Sequence, residues 1–299
     1  MTAAPSVPPQ RFDLLDPMEV SRLGGIEIVA AGVVEGFLTG LHRSPFRGFS
    51  VEFTEHRPYQ PGDEPRYLDW KILARADRLF VKQFEQETNL RAMLLVDASR
   101  SMAWRGAPER LTKRAYADRL AAALALILLR QRDATGLVTF DDAVRQAIPA
   151  RVKTGQWARL VRALLDTPDG RGTAAEAALR RLTSLLVRRG LVILISDLLF
   201  DRDLALTALR YLRHRGHQVI VYHVMDPGER ELGGPPEVRF RDLESPASVV
   251  VRPRELARAY GETVRREIAA WRTTCRRHGI AYHHVTTDLP FGLALRLLT

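Results

Sequence analysis

Residues 94–102 read LLVDASRSM, and the fold follows from how that stretch is understood. With the preceding Arg91-Ala-Met it forms a short, continuous apolar run, the pattern of a strand buried on both faces of a parallel sheet. The run stops at Asp97, and hydroxyl side chains follow at alternate positions, Ser99 and Ser101. A strand of this kind collects oxygen atoms where it leaves the core.

Working outward, the same alternation of apolar run and helical segment recurs to the end of the chain. TGLVTF (135–140), LVILIS (191–196), HQVIVYHV (217–224) and GIAYHHV (279–285) are predicted strands. AVRQAIP (143–149) alternates like an edge strand joined to its neighbour by a turn at Asp141-Asp142. Helices are expected at about 109–131, 154–165, 173–188, 203–214 and 253–278. Strands alternating with helices indicate an α/β, doubly wound, mostly parallel sheet with one antiparallel edge strand. Ligands of such sheets bind at the carboxyl ends of the strands, where Asp97 and Asp197 both fall.

Composition narrows the class. The chain has 299 residues, 46% of them hydrophobic and 27% charged, as in an ordinary globular protein. Leu120–Leu129, the longest apolar run, is about half a bilayer span and reads as a buried helix. MTAAPSVPPQ lacks the basic and apolar regions of a secretory signal, and a lone cysteine, Cys275, excludes an internal disulfide. A cytoplasmic location is expected. The net charge of +10 raises nucleic acid, an acidic protein or an anionic membrane face as a partner. Nucleic acid is disfavoured, because the arginines are scattered through helices without interleaved aromatic rings.

Asp97, Ser99 and Ser101 on one loop, Thr173 after a Gly-Arg-Gly, and Asp197 at the end of LVILIS supply two carboxylates and three hydroxyls. These are hard oxygen donors with a summed charge of about −2, suited to Mg²⁺ or Mn²⁺ with a coordination position left open. Taken singly, Asp97, Ser99 and Thr173 are equally good helix caps; their common position at strand ends favours a cation. A phosphotransferase would need a second carboxylate where Ser99 stands. A metal-dependent phosphoesterase or nuclease lacks a base at a recognisable spacing, and no phosphate-binding glycine loop occurs.

Asp97-Ala-Ser99-Arg-Ser101, Gly172-Thr173 and Ser196-Asp197-Leu198 resemble the metal-ion-dependent adhesion site of von Willebrand factor A domains. RGFSVEFTEHRPYQPGDEPRYLDWKILARADRLFVKQFEQE (47–87), RDLE (241–244) and CRRHGIAYHHVTTDLP (275–290) resemble the bacterial family called domain of unknown function 58. The resemblance implies that Asp97, Ser99, Ser101, Thr173 and Asp197 hold the metal and that a partner's carboxylate completes its shell. Arg100 stands where such sites usually have glycine, which raises the question of backbone conformation there and adds a cation beside the site.

The resemblance also implies an organisation and a role. A loop-rich leader, 1–89, with short strands near 49–53 and 79–84, would pack on a von Willebrand factor A-like domain, 90–299, interrupted by an insertion at about 226–252. The leader residues Arg57, Tyr59, Asp63, Arg66, Asp69 and Trp70 would either clamp its loop or dock a partner. The protein is expected to be a non-enzymatic adaptor, working with a MoxR-type AAA+ ATPase and a client protein in assembly or maturation.

Overall fold

The computed structural model describes residues 14–22, 24–39, 52–59, 72–73, 79–85, 90–170, 176–241 and 248–298. At its centre is a six-stranded sheet built from β3 (Arg91–Asp97), β4 (Ala134–Phe140), β5 (Val144–Arg151), β6 (Leu191–Ser196), β7 (Gln218–Met225) and β10 (Ala281–Thr286). Its order is β10-β7-β6-β3-β4-β5, parallel throughout except for β5, which returns antiparallel to β4 at the edge. The expected α/β architecture with one antiparallel edge strand is the observed one. The order reverses at β3 and β6, so the ends of these central strands, Asp97 and Asp197, flank the switch point.

Side chains alternate across the central strands, as a pleat requires. Ala92, Leu94 and Val96 of β3 enter the core on one face with Leu191, Ile193 and Ile195 of β6, while Leu95, Val192 and Leu194 enter the other. The second face is covered by α5 (Glu176–Leu185), α6 (Arg202–His214) and α7 (Pro253–Arg277). The first is covered by α3 (Lys113–Arg130), α4 (Gln156–Asp166) and α8 (Phe291–Arg296). Because α3 lies between the sheet and further helices, it is apolar almost all round; Leu120, Ala121, Leu124 and Leu128 are completely buried. That is the physical reason for the long apolar run, and no helix among the described residues is long and apolar enough to cross a membrane.

The amino-terminal third departs from its expected loop-rich character. Besides a short α1 (Pro17–Arg22), it contains α2 (Ile26–Thr39), which the strand-centred reading missed. Ile26, Val29, Ala30, Val33, Val34 and Phe37 recur at the three-and-four spacing of a helix face, and all six are buried against α3 and α8. Each of the five larger ones contributes about 1.5–3 kcal/mol by leaving water. Of the strand expected at 49–53, residues 49–51 lie outside the described residues; β1 is Glu52–Pro58 and runs further than expected, because its register follows β2 (Phe80–Glu85) as far as Pro58 opposite Phe80. The 226–252 segment contains the hairpin β8 (Val238–Arg241) and β9 (Ser248–Val251).

Candidate functional site

Asp97 is the last residue of β3, and both oxygens of its buried carboxylate are engaged. One accepts the Ser99 backbone N–H at 2.8 Å, which turns the chain sharply at the sheet edge. The other accepts the Ser196 hydroxyl at 2.6 Å, from the end of β6. Ser196 Oγ in turn accepts the Leu198 N–H at 2.9 Å, and Leu198 takes a positive φ of 56° to make that possible. Ser196 thus ties the two strand ends together. Its position beside Asp197 is legible in the sequence, but this tie is not.

Ser99 and Ser101 enter a 3₁₀ turn, Arg100–Ala103. The Ser99 side chain does not cap this turn; its Oγ lies 3.1 Å from Ser101 Oγ. Nor do these residues cap the next long helix, since Thr112 does so by accepting the Ala115 N–H. Arg100 is exposed and sits at negative φ, since Arg132 and Leu198 are the non-glycine residues with positive φ among those described. The backbone therefore has no need of glycine at Arg100. Asp197 is buried on the adjoining loop, with one oxygen accepting the Leu199 N–H at 3.2 Å.

Its other oxygen faces an ammonium group. Lys113, the first residue of α3 and wholly buried, donates to Asp197 Oδ2 at 2.8 Å and also to Glu229 Oε1. Burial alone would lower the Lys113 pKa, but the two carboxylates more than offset it and hold the ammonium above its ordinary value. Glu229 closes the network by accepting the Asp226 N–H at 2.8 Å on its second oxygen. Asp226 accepts Arg110 at 2.8 Å. Lys113 and Glu229 escaped the sequence reading. The available signal was that Lys113 is one of only four lysines in a chain otherwise basic through arginine, at a place where a compact point charge serves two carboxylates.

Burial, then the nearby Asp197 carboxylate, push Asp97 up to about 6 against the hydrogen bonds from Ser196 and Ser99. A carboxylate held in this way gains from a cation. Two of the donors have the spacing a cation's shell requires. Adjacent oxygens of an octahedral Mg²⁺ shell stand about 3 Å apart at the usual metal–oxygen length, and the Ser99 and Ser101 hydroxyls have that separation. Three carboxylates (Asp97, Asp197, Glu229) against one ammonium leave a local charge suited to a divalent ion. Among the described residues no cluster of three His, Cys, Asp or Glu forms a metal cage.

Thr173, Asp63, Arg66, Asp69 and Trp70 lie outside the described residues, as does the side chain of Arg57. Gly170, three residues before Thr173, donates its N–H to Ala98 O at 2.6 Å and so anchors its segment beside the Asp97 loop. A Cβ at Gly170 would come within 2.7 Å of that same oxygen. Tyr59 is half-buried, with its N–H on Leu79 O at 3.0 Å. Ser101 opens onto a cleft of about 580 Å³ shared with Trp104, Lys113, Glu229, Phe240 and Tyr260. The 226–252 segment therefore forms one wall of the space beside the hydroxyl pair.

An uncharacterized protein of Mycobacterium tuberculosis, Rv1480, is 32% identical over 252 residues, 81% of this chain and 77% of its own length. Among solved structures, a conserved hypothetical protein BatB from Bacteroides thetaiotaomicron aligns with 70% of this chain and 96% of its own (15% identity, TM-score 0.45). The SpRpn10 VWA domain aligns with 69% and 94% (10% identity, TM-score 0.39). A family model matches residues 55–270, and the chain belongs to that family, described as protein of unknown function DUF58.

Proposed function

We propose that this protein is a non-enzymatic adaptor that binds another protein through a divalent cation, Mg²⁺ or Mn²⁺, at the carboxyl rim of its sheet. The observation that carries the reading is the pair of hydroxyls, Ser99 and Ser101, turned toward each other 3.1 Å apart above a buried, doubly hydrogen-bonded Asp97. Ser99, Ser101 and Thr173 would hold the ion, with Asp97 and Asp197 orienting those hydroxyls and the ion's waters. When bound, the ion would supply a Lewis-acidic position for a carboxylate of the partner. Arg100, exposed between the two serines in the chain, adds positive charge to this rim.

The adaptor acts in protein assembly or maturation, with a MoxR-type AAA+ ATPase supplying energy while this chain holds the client. Pull-down of that ATPase from native lysate tests the reading, in Mg²⁺ and in EDTA, with wild type and Asp97→Ala. Mn²⁺ titration by calorimetry on the same two proteins reports the site directly. Retention by wild type in Mg²⁺ alone, with Mn²⁺ heat absent from the variant, supports it. A variant that still takes up Mn²⁺ and still binds in a metal-dependent way would sink the site assignment.

A further inference from the structure

The opposite end of the sheet is built from a different chemistry. Four of its parallel strands are preceded by a helix that ends in arginine or is followed by one: Arg132 before β4, Arg188-Arg189 before β6, Arg213 and Arg215 before β7, Arg276-Arg277 before β10. The antiparallel β5 leaves at this same end through Arg151-Val152-Lys153. One basic residue per helix terminus is accounted for by the negative end of the helix dipole. These loops have more than that, and their one acid, Asp133, is buried.

The arginines also lap onto one another's turns. Gly216 (φ 85°) and Gly279 (φ 65°) make the left-handed turns that lead into β7 and β10. A Cβ at Gly216 would meet the Arg189 side chain at 3.0 Å, and one at Gly279 would meet Arg213 at 3.0 Å. Each cation thus lies over the next loop along the sheet edge. At the carboxyl rim, by contrast, Lys113, Arg110 and Arg145 all pair with aspartates. Among the described residues, Arg188, Arg189, Arg276 and Arg277 have no acidic partner. A cleft of about 530 Å³ between the ends of α6 and α7 is lined by Arg210, Tyr211, Arg213, His214 and His278, large enough for a phosphate headgroup.

Apolar side chains are exposed among these cations: Val187 at 68%, Val152 at 55% and Leu185 at 38%. Bare aliphatic groups beside arginine suit the headgroup–acyl boundary of a bilayer. They offer nothing to bases, and the Tyr211 ring is already covered by the Arg215 guanidinium, 5.9 Å from its centroid. We propose that the amino-terminal edge of the sheet is a peripheral docking face for anionic phospholipid membranes, with the arginine row on the phosphates and Val152, Leu185 and Val187 at the acyl boundary.

The test is vesicle flotation of the full chain with phosphatidylcholine alone and with phosphatidylcholine mixed with phosphatidylglycerol, across a salt series. Two variants of equal charge change accompany wild type. The first replaces Arg188, Arg189, Arg276 and Arg277 by Gln; the second replaces Arg254, Arg258, Arg265 and Arg266, exposed on the first half of α7, by Gln. Circular dichroism confirms that both remain folded. Wild type should bind the anionic vesicles in a salt-sensitive way, and the first variant should lose about 10²–10³-fold in affinity while the second stays close to wild type. Equal loss in both variants would reduce the effect to net charge and overturn the proposal. So would equal binding to neutral vesicles, no binding to either, or displacement from vesicles by a single-stranded oligonucleotide at lower concentration than by soluble phosphatidylglycerol.

Discussion

Replacing Lys113 by Met is the sharpest perturbation of the carboxyl rim. The side chain is 1% exposed, and its partners, Asp197 and Glu229, are 2% and 18% exposed. Met fills a similar volume but leaves two carboxylates facing each other without a counter-charge. Removing one member of a buried ion pair costs about 3–5 kcal/mol, mainly through the stranded charge. Glu229 can turn toward water, so the loss should fall on Asp197 and stay within that range. At about 1.6 °C per kcal/mol for a chain of 299 residues, Tm should drop by roughly 5–8 °C. A divalent cation restores positive charge beside Asp197, so Mg²⁺ should raise the Tm of Lys113→Met more than that of wild type. Thermal melts followed by circular dichroism, in Mg²⁺ and in EDTA, measure both effects. A Tm within a degree or two of wild type in EDTA would refute the reasoning, because the ammonium would then not be holding the two carboxylates.

Other outcomes follow from the same geometry. Ser196→Ala should destabilise the fold by about 1–3 kcal/mol, the cost of leaving an Asp97 oxygen without its donor, and should weaken Mn²⁺ binding; urea melts and calorimetry read the two. His223 and His284 are held neutral, first by burial, with pKa values lowered to about 3 and about 4. Between about pH 4 and 6.5 these two imidazoles bind more protons in the unfolded chain than in the folded one and make stability rise with pH, while Asp97 and Asp118, both raised to about 6, pull the other way below about pH 6. Chemical denaturation at stepped pH should show stability climbing more with pH in wild type than in His223→Gln/His284→Gln. Burial pushes the Cys275 thiol up to about 11, so alkylation at pH 8 should be slow in the native protein and fast in denaturant. Equal rates would contradict its burial against Trp271.

The sequence made the sheet legible because its buried strands, MLLV and LVILIS above all, have no competing helical reading at that length. The carboxyl-rim aspartates were legible for the same reason, since each follows directly on a strand. What escaped shares a different cause. The α2 register is visible in its own spacing, but the proline-rich stretch before it reads as irregular chain. Lys113, Glu229 and Ser196 acquire their roles from partners 84, 116 and 99 residues away, through contacts that no local pattern encodes. The 226–252 segment could be marked as an excursion; its place as the wall of the Ser101 cleft comes from the hairpin and the Tyr260 hydroxyl on Glu229 O.

Charge in this fold is sorted along the strands, aspartates where they exit and arginines where they enter, and the exit charges are largely cancelled by their own lysine and arginine partners. Among the described residues, the arginines at the strand entries that lack acidic partners therefore form a row at one end of a rigid sheet about seven residues, or roughly 23 Å, long. Such an object meets a negative surface with a torque on it. Within about a Debye length, some 10 Å at moderate salt, the field turns the molecule before any side chain makes contact. Encounter would then be productive in one orientation, with Ser99 and Ser101 facing away from the surface, and the rate of encounter, more than the final affinity, would record the ionic strength.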